Sequence, residues 1–105
     1  MTKADKPLPE EITLLDEVLL EIEKYTAIAP RVIKSKSRLR KVIYARAIAV
    51  IVLRDEMNLT YKRIATLLHR THPDVRYLYY IYQQHPEVKP IADKIKAYYA
   101  QQRPF

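Results

Sequence analysis

The residues best equipped for chemistry lie between positions 70 and 77. Arg70, Thr71, His72, Pro73 and Asp74 follow one another, with Arg76 and Tyr77 just behind. Arginine pairs with guanine or phosphate, His and Thr bond to either, and Asp accepts from the cytosine amino group. This set suits the recognition of base edges better than bond-breaking. No pair of carboxylates stands in a basic setting, and Ser35 and Ser37 lie in a basic loop without triad partners, so catalysis is not expected. His69 and His72 have a spacing that metal ligands use, but they straddle a turn and no third ligand accompanies them. We therefore expect no metal and no other cofactor. His85, before Pro86, reads as a cap.

Charge points the same way. The first 25 residues hold three lysines against seven carboxylates, net −4, whereas the rest of the chain carries +11 of the total of +7. Positions 31–54 contain Arg31, Lys34, Lys36, Arg38, Arg40, Lys41, Arg46 and Arg54 with no acid among them. Such a cluster is what a phosphate backbone requires, although charge alone is equally consistent with a solvated basic face.

Helices must position these groups. Thr2 to Pro7 reads as a flexible lead-in (1–7). Pro9 suits a first helical position, with Glu10 and Glu11 favourable at the positive helix end. Ile12, Leu15, Leu19 and Ile22 then recur at helical spacing, giving an acidic-faced amphipathic helix over 8–25. A short turn of helix starts near Pro30, and Lys34 to Ser37 form a basic loop. The third helix spans about Arg38 to Met57. Val42, Ala45, Ile48 and Val52 mark its stripe, while Ile43, Val50, Ile51 and Leu53 make it apolar nearly all round, so it should be central. Asn58, tolerant of the left-handed conformation, ends it.

Thr60 caps a fourth helix built on Ile64, Leu67 and Leu68, without a capping box because Arg63 holds the third position. It stops near His69. After a gap of His69, Arg70 and Thr71, a fifth helix begins at Pro73, with His72 or Thr71 as cap and Asp74 in its first turn. Val75, Leu78, Tyr79 and Tyr82 give its buried side, whereas Tyr77 and Tyr80 fall off it. Pro86 or Pro90 opens a last helix (86–101) through Val88, Ile91, Ile95 and Tyr98. The fourth and fifth helices read as a helix-turn-helix, a geometry that sends the second helix into a major groove, although an ordinary αα-hairpin with a polar corner has the same outline. The fold expected is all-α, about five to six helices in one domain, with the helix-turn-helix at its centre.

Composition removes other classes. Of 105 residues none is Gly and none is Cys. Without glycine, neither the P-loop nor the dinucleotide fingerprint can form, and tight hairpins are disfavoured. Without cysteine there is no disulfide framework or thiolate zinc site. No apolar run approaches membrane-spanning length, and the N-terminus lacks a signal-peptide pattern. The expectation is a cytoplasmic, nucleoid-associated protein with no membrane partner.

At residues 38–75 the chain resembles the C-terminal DNA-binding domain of the bacterial replication initiator DnaA. Ala45-Arg46-Ala47-Ile48-Ala49 stands where that family has an Ala-Arg-x-x-Ala helix, followed by Arg54 and by Asn58-Leu59-Thr60 at its Ser or Thr cap. Ile64-Ala65 lies over Ile-Gly. Arg70-Thr71-His72-Pro73-Asp74-Val75 lies over Arg-Asp-His-Thr-Thr-Val. The resemblance covers 26–84 and implies a six-helix fold of the Trp-repressor class with two contact regions. A basic loop reaches the minor groove through an arginine, carried over to Arg40 with Lys36 and Arg38 beside it. The signature helix enters the major groove, carried over to Arg70, His72, Pro73 and Asp74.

The departures from the family lie at Thr71, Pro73 and Asp74, which stand for its Asp and two threonines. A changed or relaxed target site is therefore expected. Lys41, Arg46, Lys62, Arg63, Arg76, Thr71 and Tyr77 complete the expected double-stranded DNA contacts. The family's ATPase domain is not in this sequence, so the chain reads either as an excised fragment or as a small protein that keeps only the DNA-binding module, and Met1 with the acidic first helix suggests the second. The alternative is a protein-interaction module whose acidic first helix or off-stripe tyrosines bind a replication protein or a second copy. The family's corner carries glycine where this chain has His69. That turn must be shorter or built without an easy left-handed residue.

Overall fold

A computed structural model describes residues 6–102, and within them every regular element is a helix. The elements are α1 (Pro9–Thr26), α2 (Pro30–Ile33), α3 (Arg40–Asp55), α4 (Tyr61–Leu68), α5 (His72–Tyr82) and α6 (Lys89–Gln101). Most of the expected lead-in, residues 1–5, lies outside the described residues.

α3 touches each of the other five helices, and this follows from its sequence. Val42 and every residue from Ala45 to Leu53 is buried. Such a run leaves no face for solvent, so the remaining helices must surround it. α1 contributes Leu15, Val18, Leu19 and Ile22, α4 contributes Ile64, Leu67 and Leu68, and α6 contributes Ala92 and Ile95.

Two stripes differ in phase from the sequence reading. In α1 the inward line is Glu11, Leu15, Val18 and Ile22, with Leu19 beside it, while Ile12 is 46% exposed. In α6 Tyr99 turns inward and Tyr98 outward. Burial, then the nearby Glu21 and Glu17 carboxylates, push the Tyr99 hydroxyl up to about 12.

Glu11 is inward because it has a partner. Its carboxylate receives Arg63 Nη2 at 2.5 Å and Arg63 Nε at 3.3 Å, and the Leu8 N–H at 2.9 Å. The last of these closes half a capping box on α1. Arg63 also donates to the Lys6 carbonyl at 2.8 Å. The pair ties α4 to the start of α1.

Three corners turn through left-handed residues, none of them glycine: Ala27 (φ 61°), Asn58 (φ 57°) and His69 (φ 54°). At the α4–α5 corner the His69 N–H reaches the carbonyls of Ala65 and Thr66, and the Arg70 N–H bonds to Ala65 O at 2.9 Å. This is a Schellman-type end made without glycine. Thr71 then caps α5, its hydroxyl accepting from the Asp74 N–H at 3.2 Å.

A left-handed non-glycine residue costs about 1–2 kcal/mol, of which glycine's greater unfolded-state freedom returns roughly half, so His69→Gly should stabilise the fold by about 0.5–1 kcal/mol in urea unfolding. Hydrogen bonding by Arg63 holds the Glu11 carboxyl below its ordinary 4.5 in the folded chain. Its stabilisation is therefore present above that pH and lost as pH falls through the folded value. Glu11→Gln should lower stability by about 1–2 kcal/mol at neutral pH, and the difference should shrink in acid below 4.5.

Candidate nucleic-acid interface

The basic loop between α2 and α3 is shaped from inside by Arg46. This side chain is 6% exposed. Its Nε donates to the Ile33 carbonyl at 3.0 Å, and its Nη2 to the Ser35 and Ser37 carbonyls at 2.7 and 3.2 Å. Serines complete the frame. Ser35 Oγ donates to Val32 O at 2.6 Å and accepts from the Ser37 N–H at 3.2 Å; Ser37 Oγ accepts from the Leu39 N–H at 3.2 Å. Arg38 and Leu39 are consequently loop residues, and α3 starts at Arg40.

The helix-turn-helix joins the loop at one atom. Arg70 Nη2 donates to the same Ser35 carbonyl that Arg46 holds. Burial first, and the neighbouring Arg70 charge second, bring the Arg46 guanidinium down to about 10, so it remains charged at neutral pH. The outcome is a groove of about 360 Å3 with Lys36 and Arg38 on one side and Asp74 and Tyr77 on the other. His72, Pro73, Asp74, Arg76 and Tyr77 are all exposed on α5.

Each expected contact residue therefore has a definite place. Lys36, Arg38, Arg40 and Lys41 are exposed along the loop and the first turn of α3. That turn holds no acid, unlike the first turns of α1 and α5. Two cations at a positive helix end are unfavourable unless an outside anion answers them. Lys62 is exposed on α4.

Three of the expected contact residues have internal engagements. Arg46 points into the protein and grips backbone, so it is not a surface contact. Arg63 is engaged by Glu11 rather than presented as a phosphate anchor. Arg70 is half-buried and donates to the Ser35 carbonyl, which links loop and helix. Thr71 serves as the cap of α5 as well as lying on the exposed corner.

Two supports were not read from the sequence. Tyr61, on α4, stacks on His72 with ring centroids 6.0 Å apart and planes at 28°, and so braces the start of α5. Arg54 lies 4.7 Å above the same tyrosine ring and donates to the Leu59 carbonyl at 3.3 Å, holding the approach to α4. No periodicity announces contacts of this kind, because they cross between elements. Arg46 did carry a signal: an arginine amid an all-round apolar helix has no outward phase.

A chain in which a capped corner presents the exposed end of α5 beside a basic loop has the outline of a helix-turn-helix domain, and a family profile agrees. The profile described as "Bacterial dnaA protein helix-turn-helix" matches residues 15–80. The chain belongs to that family. The match takes in α1 from Leu15 onward, ahead of residue 26 where the sequence resemblance begins, and α1 packs directly on α3. DnaA helix-turn-helix domains bind DNA, and the all-helical architecture is in keeping with that family. No curated protein and no solved structure matches the chain.

Arg46→Met should leave the Ile33 and Ser37 carbonyls without their donor, and the Ser35 carbonyl with Arg70 alone, at a cost of about 3 kcal/mol. Urea unfolding would measure the loss. Hydrogen exchange at the Ser37 and Leu39 amides should accelerate more than exchange in α1.

Proposed function

We propose that this protein binds double-stranded DNA, with the start of α5 in the major groove and the loop before α3 on the neighbouring backbone or minor groove. The observation that carries the reading is the Ser35 junction, which holds an exposed helix end and an all-basic loop in one fixed relation. In this reading His72 and Asp74 face base edges, while Lys36, Arg38, Arg40, Lys41, Lys62 and Arg76 meet phosphates or the minor groove. Thr71, Pro73 and Tyr77 shape the contact surface. Pro73 has no N–H to donate, and a carboxylate at Asp74 is favourable only where a base amino group meets it. Base choice should therefore be narrow at that position or weak overall. The role is control of replication or transcription from duplex DNA, without catalysis. Among the described residues no helix is long and apolar enough to cross a membrane, and we place the protein at the nucleoid.

A second reading is a protein contact on the opposite pole. α1 and α6 border a hollow of about 970 Å3, lined by Leu14, Leu20 and Tyr98 with Glu17, Glu21 and Glu23 at its rim. Its chemistry suits a basic amphipathic segment of a partner. Such a contact is separable from DNA binding, because it uses none of the loop or α5.

The test is binding to random-sequence duplex across a salt series. A protein meeting about five phosphates should show log K falling against log salt with a slope of roughly −4 to −5. Arg38→Ala with Arg40→Ala should reduce that slope by about two. His72→Ala should instead flatten base preference in an oligonucleotide selection while leaving the slope alone. Absence of duplex binding at low salt overturns the proposal.

A further inference from the structure

Leu39 is 72% exposed, the highest value for any large apolar side chain among the described residues. It does not stand out for want of a fixed backbone. Its N–H bonds to Ser37 Oγ at 3.2 Å, and its carbonyl receives the N–H groups of Val42 and Ile43, both at 3.0 Å. Nor is an apolar berth lacking, since a hollow of about 530 Å3 lined by Ile28, Val32 and Val42 opens beside it. Leu39 forms part of that hollow's wall together with Arg40 and Lys41 and stays largely exposed there, with Arg38 just before it in the chain.

An isolated leucine on a surface needs no explanation. One whose backbone is fixed among four exposed cations has a narrower set of partners. An apolar protein patch would have to carry acids on every side to meet Lys36, Arg38, Arg40 and Lys41. A minor groove answers both demands at once: phosphates line its two edges and apolar sugar faces form its walls. Proteins that read minor grooves commonly set an aliphatic side chain between cations and push it against a base step, bending the duplex toward the major groove. That is the side on which α5 would lie.

Building on the duplex-binding reading, we infer that Leu39 is an apolar wedge of the DNA interface. It enters the minor groove between Arg38 and Arg40, packs on the sugars and opens one base step. Steps that unstack easily, TA and CA, are then preferred opposite the loop, a specificity that involves no hydrogen bond from the wedge.

The experiment compares wild type, Leu39→Ala and Leu39→Met on the best duplex from an oligonucleotide selection, with dyes at both ends. Energy transfer reports the bend and a salt series reports affinity. Wild type and Leu39→Met should bend the duplex by tens of degrees. Leu39→Ala should lose most of the bend and about tenfold in affinity, with salt slope and thermal midpoint unchanged, because neither a charge nor a core contact is removed. A mismatch at the opened step should restore much of the lost affinity. If Leu39→Ala bends and binds as wild type does, or loses affinity while keeping the bend, the wedge is refuted and duplex binding stands. If wild type binds no duplex, the underlying reading fails instead.

Discussion

The structure turns on a buried guanidinium that, among the described residues, meets backbone carbonyls and no carboxylate. Arg46 sits in the centre of the core helix and meets backbone carbonyls of Ile33, Ser35 and Ser37. Burying a charge is expensive unless each donor finds an acceptor, and here the acceptors are peptide dipoles. The choice has an electrostatic result. A carboxylate partner would cancel the charge and place a negative group beneath the loop. Carbonyls satisfy the hydrogen bonds and leave the net positive charge in place, close under Lys36 and Arg38. Arg70 arrives at the same Ser35 oxygen, so the loop and the helix-turn-helix share one anchor.

The basic residues thus divide by task, although composition presents them as one cluster. Arg46, Arg54, Arg63 and Arg70 hold backbone or other elements, whereas Lys36, Arg38, Arg40, Lys41 and Arg76 are exposed. The acidic residues follow the same economy. Glu11 fastens α4 to α1, and Asp55 receives the Tyr79 hydroxyl at 2.6 Å and Lys96 Nζ at 3.0 Å, joining α3 to α5 and α6. The tyrosine hydroxyl is pushed up to about 12, first by that hydrogen bond to Asp55 and then by burial. Glu17, Glu21 and Glu23 of α1 gather beside α6 while Asp16 pairs with Lys34 at the edge of the basic loop, and this uneven spread of charge would orient the molecule toward a polyanion before contact.

Much of this was legible in the residues themselves. The all-round apolar run of α3 announces a central helix, Thr60 and Thr71 announce caps, and the Pro and Asn signals set the breaks within a residue or two. The motif at 70–75 located the corner and its family. What escaped was the direction of individual side chains. Arg46, Arg63 and Arg70 have the right chemistry for phosphate, and sequence spacing does not say that a carbonyl or Glu11 claims each of them first. Ile12 and Tyr98 were misplaced for a related reason. Adjacent apolar positions compete for one stripe, and the winner is decided by which neighbour, Glu11 with Arg63 or Tyr99 with the core, finds the better contact.

The three left-handed corners at Ala27, Asn58 and His69 carry a mechanical consequence. Glycine at such a bend would move among several backbone basins and serve as a pivot. Residues with a Cβ have only one narrow left-handed well, flanked by steep walls. The turns before α2, α4 and α5 therefore act as fixed elbows, and the angles between these helices are set before any ligand arrives. A rigid body of this kind loses little backbone entropy on association. It also has little capacity to adapt its shape, so any accommodation at the interface falls to the partner.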